Sequence, residues 1–375
     1  MLERRRPARF VFAPNYGQWF AHHRNHQQLP PELGGAATHL DVLRKLGVDV
    51  FSRTVYGDGE RRFFGGLAEE VWEGVEVRYE ETLEGRDRVI AATYETRAGT
   101  LTERRRFRFS DSALVRDKRL LDDPAAQLPA FEALLAARRW RFHPERYRRM
   151  QDAVGECGLV IAGELQSPLR LLCAAASRAN AAFLAAEHAG RLREILALHE
   201  RAQLELVRQI VAAGVPALMA VDDLDSFTQP PRLLEEYAAS FYEAASRLAQ
   251  RYDSTFFVHA CDGDAETLRL LASLGVDGVE GISFSAAGEA ALERALTVTG
   301  DRFIFVGGMS VSEPEPDVSP PERRNAVFAA ARRLFENLRP AAHRVMVGTP
   351  CATGRDVSWE SLKHLRDAWL EYGEL

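Results

Sequence analysis

Cysteine is scarce in this chain: Cys157, Cys173, Cys261 and Cys351 are the only four in 375 residues. That is too few and too scattered for a disulfide framework, and it suits a reducing compartment. No apolar run approaches the about 18–20 residues that a membrane span needs, so a membrane protein is not expected. Basic charge is not in surplus either. Lys and Arg number 48 against 54 Asp and Glu, a net charge of −6, which leaves no basic face for nucleic acid. Gly-x-Gly-x-x-Gly after a strand, the P-loop and Gly-x-Ser-x-Gly are all missing, so dinucleotide, nucleoside triphosphate and serine-hydrolase chemistry have no signal. The start, Met1-Leu2-Glu3-Arg4-Arg5-Arg6-Pro7, is basic but lacks a long apolar stretch and a small-residue cleavage site. A signal peptide is therefore not expected, and the cytoplasm is the default location.

What is present is material for a large core, since 46% of residues are hydrophobic. From about residue 155 onward, short apolar runs alternate with longer amphipathic stretches, the pattern of parallel βα units. Strands are predicted at Gly158–Glu164, Pro216–Val221, Thr255–Ala260, Gly278–Phe284, Phe303–Val306 and Arg344–Val347, with two earlier ones near Arg9–Phe12 and Val48–Ser52. Eight strands with intervening helices predict an α/β fold, a TIM (β/α)8 barrel forming a single domain over residues 1–375. Residues 70–110 interrupt this pattern. Val75–Tyr79, Val89–Thr96 and Leu101–Phe109 alternate apolar with polar residues and are punctuated at Gly85 and Gly99. They predict an inserted antiparallel β-meander with one wet face.

In such a barrel the chemistry sits where strands end and βα loops begin. One strand ends in His259-Ala-Cys261, and period-two geometry puts both side chains on one face. The last strand runs to Cys351 at the equivalent position. One imidazole and two thiolates form a ligand set that Zn²⁺ accepts, and three ligands from separate strands leave a position open, as catalytic sites do. The competing reading of each residue alone is a core cysteine or a hydrogen-bonded core histidine. Cys157 and Cys173 read as structural. Carboxylates also mark strand ends: Asp222, Asp223 and Asp225 after one, Glu164 ending another, Glu280 within a third. They are candidates to orient the histidine, to act as a further metal ligand when substrate is absent, or to bind a cationic substrate. Asp222, Glu164 and Glu280 are taken as catalytic candidates. Asn15, Tyr16 and Trp19, with Asp223, are taken as candidate substrate contacts over the barrel mouth, and Gly307-Gly308 as a turn that lets a cofactor approach the backbone.

These residues resemble a known family. Phe257-Val258-His259-Ala260-Cys261, Gly275–Gly278, the Asp222-Asp223 strand end with Gln229-Pro230, the Phe303–Met309 strand and Thr349-Pro350-Cys351 are similar to the uroporphyrinogen decarboxylase superfamily, in its cobalamin-dependent methyltransferase branch. The resemblance implies zinc held by His259, Cys261 and Cys351. It also implies methyl transfer between a corrinoid on a separate protein and a small molecule. In thiol-methylating members a substrate thiolate takes the methyl group from cobalt, and in demethylating relatives a methyl on oxygen or nitrogen passes to reduced corrinoid. The branch leaves open both the direction and the small molecule, a thiol or a methylated donor.

Two alternatives stand beside this reading: a decarboxylase of a tetrapyrrole or polycarboxylate, and a silent ligand-binding barrel. The decarboxylases carry an arginine-rich loop after the first strand. Here that region, residues 15–25, holds only Arg24, a poor match for many substrate carboxylates. The chain also departs from the methyltransferase pattern, with Asp262 rather than glycine after Cys261 and no glycine directly after Cys351.

Overall fold

The computed structural model describes residues 2, 7–53, 66–225, 229–262, 264–282, 289–309, 319–349 and 353–375. The chain begins with helices α1 (Gly17–Asn25) and α2 (His39–Leu46) and a short strand β1 (Val50–Ser52). An antiparallel section follows: β2 (Ala68–Trp72), β3 (Glu76–Glu84), β4 (Asp87–Thr96), β5 (Gly99–Phe107), β6 (Leu114–Lys118), α3 (Pro124–Ala137) and β7 (Arg138–Phe142). Strand and helix then alternate through α4 (Pro144–Val154), β8 (Gly158–Val160), β9 (Ala162–Leu165), α5 (Pro168–Ala175), α6 (Arg178–Glu187), α7 (Ala189–Ala212), β10 (Ala217–Asp225), α8 (Pro231–Tyr237) and α9 (Ala239–Arg251). The pattern continues with β11 (Thr255–Asp262), α10 (Ala265–Ser273), β12 (Gly278–Ile282), α11 (Glu289–Thr299), β13 (Ile304–Gly308), α12 (Pro320–Leu338), β14 (Val345–Gly348) and α13 (Trp359–Tyr372).

The architecture is mixed α/β. Six parallel strands pair in the order β14-β13-β12-β11-β10-β9, and β1 pairs with β8. Both faces of this sheet are apolar, as parallel strands require. Leu218, Ala220, Phe256, Val258, Phe305 and Val345 belong to the core under the helices. The alternate residues Ala217, Met219, Phe257, Ile304, Val306 and Met346 pack with Ile161 in a second core on the opposite face. Gly278 belongs to this close packing: a Cβ there would meet the Ile304 carbonyl oxygen at 2.4 Å and the Phe257 ring at 2.8 Å.

The segment expected as a first strand, Arg9–Phe12, forms isolated bridges instead, Arg9 with Glu374 and Phe12 with Val347. Its ladder ends at Pro14, which has no amide hydrogen to donate. Backbone hydrogen bonds still tie it to both sides, from Ala13 N to Val347 O at 2.8 Å and from Asp49 N to Phe12 O at 2.9 Å. Ile161 N in turn donates to Ser52 O at 2.9 Å.

The expected antiparallel meander is present as a four-stranded sheet in the order β3-β4-β5-β6. Ala92, Tyr94 and Leu101 face inward, and this face lies against α3 together with Phe131 and Leu134. The antiparallel section is wider than residues 70–110, because β6 reaches Lys118 and β2 pairs with β7 from Ala68–Phe142 to Trp72–Arg138. The added strands are short and rich in charge, which in sequence resembles loop. Among the described residues no helix is long and apolar enough to cross a membrane.

Candidate functional site

Period-two alternation along β11 places Phe257, His259 and Cys261 on one face. Phe257 lies in the inner core, and the other two continue beyond it at the strand end. His259 is 2% exposed. Register sets its first neighbour, since His259 pairs with Glu280 across β11 and β12. The Glu280 carboxylate accepts a hydrogen bond from His259 Nδ1. Burial pushes the Glu280 carboxyl up, but His259 and then Arg53 outweigh it and hold the group below the usual range. With Nδ1 engaged, Nε2 is the nitrogen that faces Cys261 Sγ at 3.3 Å and Asp223 Oδ1 at 3.7 Å.

Asp223 reaches this point through a bulge. Between the pairs Ala220–Val258 and Leu224–Ala260, β10 advances four residues while β11 advances two. Asp223 takes up the excess with φ of 47°, a left-handed conformation that costs free energy in a residue with a Cβ. Gln229 Nε2 holds the bulge, donating to the carbonyls of Asp222 at 2.9 Å and Asp223 at 3.2 Å. Arg170 pairs with the Asp223 carboxylate.

The donor atoms of Asp223, His259 and Cys261 all lie within 4.8 Å of one another. Bonds of about 2.0–2.3 Å at tetrahedral angles put ligand atoms about 3.3–3.6 Å apart. The observed 3.3 and 3.7 Å and the mixed nitrogen, sulfur and oxygen donors fit zinc. Asp223, expected as a substrate contact, thus stands among the possible ligands. Cys351 lies outside the described residues. The segments flanking it are both tied to Asn15, whose N donates to Thr349 Oγ1 and whose carbonyl accepts from Thr353 N, each at 2.9 Å.

Asp222 is turned away from this cluster. It is fully buried, and it accepts from Ser167 N at 3.0 Å and from the Tyr242 hydroxyl. Burial raises its carboxyl. Ser167 caps α5, accepting from Arg170 N at 3.1 Å, so one carboxylate anchors the helix that carries Arg170. The preceding residue is gripped from α7: Gln166 N donates to Gln203 Oε1, and Gln166 O accepts from His199 Nε2, both at 3.0 Å. Burial, reinforced by Arg138, pushes the His199 imidazole down to about 3.

Trp19 is fully buried, donates from Nε1 to Val357 O at 2.7 Å, and stacks on His23 and Trp359. Tyr16 is equally buried, and its hydroxyl has no hydrogen-bond partner among the described residues. Gly307 and Gly308 have φ of 141° and 105°. At Gly307 a Cβ would sit 2.3 Å from the Ile282 carbonyl oxygen, so strand packing alone demands glycine there. Glu164 lies on β9, and its side chain, like that of Asp225, is outside the described residues. Cys157 is exposed and Cys173 partly buried with its thiol pushed up by burial. Sequence reading did not single out Arg170, Arg53, Ser167 or Tyr242. Arginine is abundant here and carries no motif, although the position of Arg170 one turn into the helix after a strand end was a usable signal.

No family model matches the chain, and no curated protein matches it. Among solved structures it is similar to a methyltransferase from Methanosarcina mazei, at 15% identity and a TM-score of 0.47, over 70% of this chain and 73% of that one. It is similar to xylanase B from Clostridium stercorarium F9 at 12% identity and a TM-score of 0.33, over 45% of this chain and 58% of that one. The intracellular xylanase TsXylA from Thermoanaerobacterium saccharolyticum gives 13% identity and a TM-score of 0.34, over 58% and 74%. Likeness at this level transfers neither a fold nor an activity.

Proposed function

We propose that this protein is a zinc-dependent methyltransferase that moves a methyl group between a corrinoid on a partner protein and a thiol or methylated small molecule. The observation that carries the reading is the meeting of His259, Cys261 and Asp223 at the ends of neighbouring strands, with Glu280 behind the imidazole. The scaffold in this proposal is an eight-stranded (β/α) barrel. Its support is the inner core of alternate residues from successive strands and the hydrogen bonds that link residues 11–13 to β14 and to Asp49.

His259 Nε2, Cys261 Sγ and, from beyond β14, Cys351 would hold the zinc, with Asp223 as the ligand that substrate displaces. Zinc in that setting keeps a substrate thiol deprotonated at neutral pH or polarises a methylated heteroatom. Glu280 keeps the proton on Nδ1, so that Nε2 offers its lone pair. Arg170 takes up the Asp223 carboxylate. Asp222 keeps α5 and the β10 bulge in register, and Glu164 remains a candidate acid or base. Asn15, Tyr16 and Trp19 would wall the substrate side, and the end of β13 at Gly307-Gly308 would lie on the corrinoid side. The proposed location is the cytoplasm.

Elemental mass spectrometry on wild type, Cys261→Ala and Cys351→Ala tests the ligand set. Wild type should carry about one zinc per chain, both variants none, and Cys157→Ala and Cys173→Ala should match wild type. Zinc retained in both ligand variants rules the assignment out. Demethylation of methylcobalamin in the presence of thiols, followed by absorbance, then tests the transfer itself.

A further inference from the structure

We propose that the cleft between the antiparallel section and α5 binds one small oxyanion, of the carboxylate, sulfate or phosphate class, with Arg116 as its principal contact. The cleft has a volume of about 50 Å³. A single water needs at least about 10–15 Å³ by this measure, so there is room for an anion of a few heavy atoms. Its polar wall is formed by Glu70, Glu103, Arg105, Arg116, Arg138 and Gln166.

Three guanidinium groups meet two carboxylates there, and both carboxylates are committed. Glu103 accepts from the Tyr94 hydroxyl at 2.8 Å and from Arg105 at 2.6 and 3.0 Å. Glu70 is paired with Arg138. Among the described residues no carboxylate lies within ion-pair distance of Arg116. Burial pulls Arg116 down to about 10, helped by Arg105, Arg170 and Arg119, with Glu103 opposing. Arg119 does not relieve the excess, because its guanidinium donates to the carbonyls of Cys173 and Ala174 at 2.8 and 3.0 Å.

A desolvated cation surrounded by like charge is unfavourable until a partner of opposite sign arrives. An oxyanion supplies two acceptors in the plane that a guanidinium presents. Trp72 and Phe131 close the apolar side of the cleft and strengthen the attraction by excluding water. The bound anion would tie the antiparallel section to Gln166 and α5, the helix whose Arg170 pairs with Asp223.

The test is thermal unfolding of the full chain in sulfate, phosphate or acetate against chloride at fixed ionic strength, for wild type, Arg116→Gln and the exposed control Arg97→Gln. At an anion concentration well above Kd, wild type and Arg97→Gln should gain about 2–4 °C over the gain of Arg116→Gln in at least one of the three anions. In chloride, Arg116→Gln should unfold at or above the wild-type temperature, since it loses a cation with no carboxylate partner among the described residues. Equal anion responses in wild type and Arg116→Gln, or a clear loss of stability of Arg116→Gln in chloride, would overturn the proposal.

Discussion

Asp222, His259 and Glu280, toward the ends of β10, β11 and β12, are buried with fixed hydrogen-bond partners, whereas on the outer face of the meander charged side chains reach solvent and share partners. Glu280 serves His259, and Asp222 serves Ser167 and Tyr242. In the meander Glu84 meets both Arg104 and Arg106, and Asp117 meets the same two arginines. A buried pair loses its whole environment when one member is removed, because the remaining group cannot recover water. A solvated ladder is rearranged by neighbours and water at small cost. The same residue types therefore specify geometry in one region and solubility in the other.

Asp222→Ala breaks the comparison most sharply. It strands the Ser167 amide and the Tyr242 hydroxyl, and urea unfolding should show a loss of about 2–5 kcal/mol, with Asp222→Asn recovering part of it. Glu280→Gln comes next. The fold should persist while zinc affinity, read by competition with a chelator, falls about 10–100-fold.

His199 gives a pH signature belonging to the buried region alone. Its folded pKa of about 3 lies below the ordinary imidazole value of 6.5. The unfolded chain therefore takes up a proton that the folded chain refuses, and stability present above pH 6.5 drains away as pH falls toward 3. Between pH 7.5 and 5.5 that amounts to about 1.4 kcal/mol. His199→Gln should flatten this slope in urea titrations at the two pH values. The smallest effect belongs to the meander: Glu84→Ala should move the melting temperature by less than about 2 °C, and less still in high salt.

How far the sequence could be read follows from which interactions are local. His259 and Cys261 were legible as one constellation because the period of a strand is two wherever the strand lies. The parallel strands are legible as apolar runs, but an apolar-run reading ends several of them early, β13 at Val306 where the strand runs to Gly308 among them. β10 continues to Asp225 and β11 to Asp262, whereas an apolar-run reading stops at Val221 and Ala260. The carboxylates that close a strand look like the start of a loop. The meander was found from alternation, and its flanking strands β2, β6 and β7 were missed because short charged strands alternate too little to stand out. Glu280 was visible as an acidic residue in a strand, with nothing to say that it faces His259 and not solvent.

The sequence by itself determined the alternation of strand and helix, the common face of His259 and Cys261, and the wet face of the meander, since each depends on residues a few positions apart. Tertiary structure alone decided that Glu280 backs His259, that Asp223 turns into the cluster while Asp222 turns away to Tyr242, and that Arg116 has no carboxylate at ion-pair distance among the described residues. Those outcomes depend on strand register and on a bulge in β10. Both are set by how the whole sheet packs between its two cores, and a one-residue change in either would exchange which side chains meet.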